Sequence, residues 1–126
     1  MNQTELRQEW IRRLRSGEYE QGKGCLNRFD RYCCLGVLCE LLSEQGLVEK
    51  HKCPRDSAVY YRHGGFGSQT QLPGTSNELI GLVRPDGGTT VPLTILNDDM
   101  GWTFDQIADV LEKGEFWETE EKGEPA

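Results

Sequence analysis

Three cysteines, a tyrosine and a leucine stripe fall within Arg31-Tyr-Cys-Cys-Leu-Gly-Val-Leu-Cys-Glu-Leu-Leu42. A thiol nucleophile, a metal site and a packed core all produce such a run. A thiol at a helix N-terminus has its thiolate stabilised by the unpaired amides and the helix dipole, and Cys33 and Cys34 stand where a helix would begin. A hydrolase built on either would take His51 or His63 as base and Asn27, Asn77 or Asn97 as orienting group, in the manner of a protease or amidase triad. Zinc needs four converging ligands, commonly from two close pairs. The pairs on offer, Cys33 with Cys34 and His51 with Cys53, lack that spacing, and no metal is expected. Buried free cysteine is ordinary, so the leucine spacing favours the packed core and no catalytic residue is assigned.

The second chemical stretch is Tyr60-Tyr-Arg-His-Gly-Gly-Phe-Gly67. It combines stacking rings with phosphate-pairing donors and with glycines that let backbone amides approach a ligand. A nucleotide or similar aromatic anion is the ligand this composition describes. Tyr61, Phe66 or Trp10 would stack on it, and Arg62, His63 and Arg84 would contact phosphate. No phosphate-loop or dinucleotide fingerprint accompanies them. A surface loop whose tyrosines pack on the edge of the core reads the same residues equally well. In Leu96-Asn-Asp-Asp-Met-Gly-Trp102, Asn97 and Asp98 suit turn formation before a helix. They also stand as ligand contacts, since a carboxylate there can meet a ribose hydroxyl.

The elements that must position these groups follow from periodicity. Residues 5–16 read as an amphipathic helix burying Leu6, Trp10 and Leu14, capped by Thr4, ended by Gly17, with its arginines mostly in water. Residues 19–32 suggest a short hairpin around a Phe29-Asp30 turn. From Cys33 or Cys34 to Gln45 the pattern is helical and apolar nearly all round for two turns, with Gly46 at the left-handed cap, so this is the expected central helix. Gly36 on it marks a close contact with a neighbour. Residues 57–61 and 89–91 are strand-like, 76–83 a short helix, and 93–97 a segment leading into another helix. Thr103 with Gln106 forms a capping-box pattern ahead of Phe104, Ile107, Ala108 and Leu111, which share a face. The expectation is an α+β fold: about three helices packed on a small antiparallel sheet, a single domain over residues 1–114 and an acidic, solvated tail over 115–126.

A chain of 126 residues with 36% hydrophobic residues supports one modest core. The net charge of −7 disfavours nonspecific binding to nucleic acid polymers, which relies on counterion release by Lys and Arg. No apolar run approaches the length of a membrane span. With no charged-then-apolar leader and an odd set of five cysteines, the expectation is reduced thiols in a cytoplasm.

Three segments together resemble a family. They are Trp10 with Leu14-Arg-Ser-Gly-Glu-Tyr-Glu-Gln-Gly22, then Tyr32-Cys-Cys-Leu-Gly-Val-Leu-Cys39, and Leu96-Asn-Asp with Gly101-Trp-Thr-Phe-Asp-Gln-Ile-Ala-Asp109. They look like the small uncharacterised proteins of tailed bacteriophages and prophages. The resemblance brings no catalytic motif and leaves residues 50–90 unmatched, where a variable binding surface would be expected. It implies an accessory protein acting in the cytoplasm of an infected or lysogenic bacterium, where one strategy against host defence is to sequester cyclic nucleotide or cyclic ADP-ribose signals. That role needs a pocket with aromatic and arginine contacts, commonly built between protomers. The reading is therefore a homodimer or higher oligomer that binds a small nucleotide-derived ligand without cleaving it and uses no cofactor. An acidic inhibitor that covers a host enzyme and a cysteine hydrolase using Cys33 or Cys34 are the alternatives.

Overall fold

The computed structural model describes residues 1–53, 58–82, 84, 86 and 92–114. The first helix, α1 (Gln3–Arg15), starts two residues earlier than its periodicity suggests. Asn2, not Thr4, caps it, in a reciprocal capping box with Glu5. Leu6, Trp10 and Leu14 form its buried stripe. Its arginines are less free than expected: Arg12 and Arg13 both pair with Glu9, and Arg13 reaches on to Glu44 at 2.7 Å.

Six short strands follow the helix and make one sheet, in the order β1-β3-β2-β5-β4 with β6 also paired to β5. They are β1 (Glu20–Gln21), β2 (Asn27–Arg28), β3 (Arg31–Tyr32), β4 (Glu49–Lys52), β5 (Ala58–His63) and β6 (Phe66–Ser68). The sheet is mixed, because β1 runs parallel to β3 while every other pair is antiparallel. The chain returns from β2 to β3 through the Phe29-Asp30 turn, so β1 meets β3 only in the parallel sense. The expected hairpin thus gains a third strand.

Between β3 and β4 lies α2 (Cys34–Glu44), the expected central helix, with Cys34, Leu35, Val37, Leu38, Cys39, Leu41 and Leu42 all in the core. Gly46, at φ 75°, turns the chain out of it. The helix rests on the inner face of the sheet, and its other side meets α1 and α4. There are five helices in the described residues: the short α3 (Asn77–Ile80) falls within the helix expected over 76–83, and α4 (Leu93–Asp98) is the addition, a helix of its own where the sequence suggests only a segment leading into the last one. The last, α5 (Phe104–Glu112), carries the expected Thr103 to Gln106 capping box and lies along α1. The α+β expectation holds, and one hydrophobic cluster joins α1, α2, α4 and α5 to β5. The strand reading at 89–91 and the tail at 115–126 lie outside the described residues.

Gly36 sets how closely α2 approaches the sheet. A Cβ there would overlap the carbonyl of Leu26 at the start of β2. Since that neighbour is backbone, no rotamer change relieves the clash. Gly36→Ala is expected to cost about 3 kcal/mol, a fall of roughly 10 °C in melting midpoint for a domain of this size. Melting at the wild-type temperature would mean that helix and strand are not in contact. A second expectation concerns acid. The guanidinium groups of Arg12 and Arg13 hold the Glu9 carboxyl down at about 2. Because the folded value is depressed, Glu9 stabilises the protein fully above its ordinary 4.5 and loses that contribution as pH falls toward 2. Acid-unfolding curves of Glu9→Gln should be flatter than wild type across that interval.

Candidate functional site

Half of the residues expected to touch a ligand, Trp10, Tyr61, Asn97 and Asp98, are instead part of the frame. Trp10 is fully buried and donates its indole N–H to the Cys34 carbonyl at 3.0 Å. Tyr61 is equally buried. Its hydroxyl donates to Glu40 at 2.8 Å and accepts from Asn27, and Lys50 neutralises the same Glu40 oxygen. Both rings are therefore corrected from ligand contacts to core. The alternation of β5 explains the second: Tyr61 points to α2, while Tyr60 and Arg62 point the other way.

Asn97 is also fully buried. Its Oδ1 accepts from the amide of Cys34, the first residue of α2, at 3.2 Å and from Gln21 at 2.8 Å, while its Nδ2 donates to the Gly22 carbonyl and to Asp98. It ties α4, α2 and β1 together rather than facing a ligand. Asp98, half-buried beside it, is occupied by that contact. Arg84 is exposed and pairs with Asp86 at 3.9 Å, just after Gly81, which sits against α1. Arg62, His63 and Phe66 share the β5–β6 hairpin: Arg62 lies opposite Gly67, His63 opposite Phe66, and the Phe66 ring is 71% exposed. Strand alternation sends Arg62 to one face of that hairpin and the His63–Phe66 pair to the other.

The thiols fare as a core requires. Cys33 is the N-cap of α2 and Cys34 its first residue, so the helix amides do favour a thiolate there. Burial outweighs them: it pushes Cys33 up to about 12 and Cys34 well above its ordinary value. Cys34 Sγ lies 3.8 Å from the Leu93 carbonyl. Neither sulfur offers the accessible thiolate that a hydrolase needs.

Side chains that do face solvent together lie at the other end of the sheet. Gln21, Gly22, Lys23, Cys25, Arg28, Phe29 and Arg31 line a groove of about 490 Å³. Arg28 and Arg31 are directly opposite each other across β2 and β3, so both project to the same face. That is the face away from α2, shared with Tyr60, Arg62 and His51, whose ring stacks on Tyr60 at 5.1 Å. Lys23 adds a third cation from the β1–β2 connection, and the acidic contact of Arg31 with Glu20 is loose at 3.7 Å. Gly22 keeps the wall thin, since a Cβ there would stand 2.8 Å from that of Arg31. Asn97, by holding Gln21 and Gly22 from behind, positions this wall. Sequence reading passed over the groove because the cations are scattered over nine residues. The available signal was a two-residue hairpin turn bracketed by arginines.

An α+β protein with one core and a basic groove on the face of its sheet away from the central helix is the class these features define. The chain belongs to the family described as a domain of unknown function, DUF8296, which it matches over residues 1–82. That span contains the whole groove and stops short of Asn97. No curated protein and no solved structure matches the chain. Among the described residues no helix is long and apolar enough to cross a membrane, and no acidic, histidine and cysteine cluster could hold a metal.

Thiol labelling checks the burial of the cysteines. In the native protein Cys25 and Cys53, both partly exposed, should react promptly with a disulfide reagent, while Cys33, Cys34 and Cys39 wait for unfolding. Prompt native reaction of Cys33 or Cys34 would restore the nucleophile reading.

Proposed function

We propose that this protein binds a small phosphate-bearing, nucleotide-derived ligand in the groove and holds it without cleaving it. The observation that carries this reading is the pairing of Arg28 with Arg31. Like charges directly opposite each other on a hairpin destabilise it, and here they stand with Lys23 at the mouth of one groove in a chain of net charge −7. A bound phosphate removes the repulsion and gains charge-assisted hydrogen bonds in its place. The same surface repels long polyanions on average, which favours a compact ligand over a nucleic acid strand. The buried state of Cys33 and Cys34 supports capture rather than hydrolysis. Joined to the tailed-phage resemblance, the proposed role is that of an anti-defence protein sequestering a cyclic nucleotide or cyclic ADP-ribose-type signal.

The test is to incubate the purified protein with cyclic mononucleotides, cyclic dinucleotides and cyclic ADP-ribose isomers, measure depletion, and recover ligand by heating. Intact recovered ligand supports the reading, altered ligand points to an enzyme, and absence of depletion across the set overturns it. Arg28→Ala and Arg31→Ala should each weaken binding by about tenfold or more, a charge-assisted hydrogen bond contributing ~1.5–3 kcal/mol. Their folds should be kept or improved, since each removes a repulsion.

A further inference from the structure

We infer that Phe29 is the residue that reads the ligand's aromatic base, kept at a cost in stability for that purpose. This rests on the groove being an anion site and adds to it a base-stacking contact. The β2–β3 connection is a two-residue hairpin loop with positive φ at both positions, 55° at Phe29 and 60° at Asp30. Such turns strongly prefer Asn-Gly or Gly-Gly, because a side chain at positive φ is strained. The chain supplies its own comparison. The β5–β6 hairpin makes the same kind of turn with Gly64 and Gly65, at φ 61° and 88°.

A phenylalanine in the first of these positions is the anomaly. Its ring takes no part in the core: it is 67% exposed. Hydrophobic burial therefore does not offset the strained backbone. The ring instead lines the groove and lies 5.4 Å from the Arg28 guanidinium. Strained backbone that persists without a packing reason clusters at binding sites, and an exposed ring beside phosphate-binding cations is what base stacking uses. A nucleotide's phosphate would meet Arg28, Arg31 and Lys23 while its base lies on Phe29. The preferred ligand is then a nucleotide rather than an inorganic polyphosphate or a sugar phosphate.

The test uses the full chain, with inorganic pyrophosphate and the nucleotide panel as probes, read by calorimetry and thermal melting. Phe29→Asn, a residue that tolerates this backbone, should raise the melting midpoint by a few degrees. It should also weaken nucleotide binding by about tenfold or more, from the loss of one stacked base, and leave pyrophosphate affinity unchanged. Phe29→Trp should keep nucleotide affinity. Unchanged nucleotide affinity in Phe29→Asn overturns the inference, as does a parallel loss for both probes with a lowered melting point, which would make Phe29 a structural residue. If wild type binds pyrophosphate but no nucleotide, the inference fails while the anion site stands. If it binds neither, the anion site itself has failed.

Discussion

The fold depends on one backbone-to-backbone contact, between Gly36 in the first turn of α2 and the Leu26 carbonyl at the head of β2. Because no side chain separates them, helix and sheet meet at the closest distance a polypeptide allows, and the Cys33 amide can donate to the same carbonyl at 3.2 Å. Two consequences follow. The start of α2 is buried completely, with Cys33, Cys34, Leu35, Gly36 and Val37 all in the interior. The β2–β3 hairpin is also held against a rigid helix at its base, which leaves only its tip to vary. The cysteine run thus reflects packing density more than chemistry.

Asn97 does for the polar side of this junction what Gly36 does for the apolar side. The α2 N-terminus leaves amides without intrahelical partners, and its own N-cap, Cys33, provides no side-chain hydrogen bond. Asn97 supplies the acceptor for Cys34 from 63 residues downstream, and directs its two donors to the Gly22 carbonyl and Asp98. Gln21 completes the knot by reaching the Trp102 carbonyl. A buried amide with both ends satisfied is costly to replace. It also connects α4, which lies outside the family match, to the strand that walls the groove.

Much of the frame was legible in the sequence, and the reasons are local. The α2 span, its Gly46 cap and the α5 capping box follow from the helical repeat and cap chemistry, which neighbours seldom override. The Phe29-Asp30 turn was legible too, though not its cost. What escaped was set by distant partners. Asn97 looks like a turn former until its contacts with Gly22 and Cys34 are known. Tyr61 and Tyr60 are interchangeable in composition, and only the strand register decides which of them faces Glu40 and which faces away. The basic groove is a property of cross-strand register as well: Arg28 and Arg31 are three apart in sequence and face each other only because the turn between them has two residues.

That register concentrates the hairpin's strain at the place where the proposed binding would occur. Two departures from what a stable hairpin would choose coincide there, like charges across the last pair and a bulky ring at positive φ, and neither is balanced by burial. Other elements make the ordinary choices: glycines occupy the β5–β6 turn, Asn2 and Thr103 cap their helices, and the strongly depressed carboxylate of Glu9 lies between two arginines. A hairpin free of its neighbours would relax such strain by fraying. This one is fastened below by Gly36 and beside by Asn97 through Gly22, so the strain persists at the tip, where the proposed anionic ligand would relieve the repulsion. On the proposed reading, the differential between free and bound hairpin would supply the groove's affinity, and the close α2 junction would allow that differential to be kept.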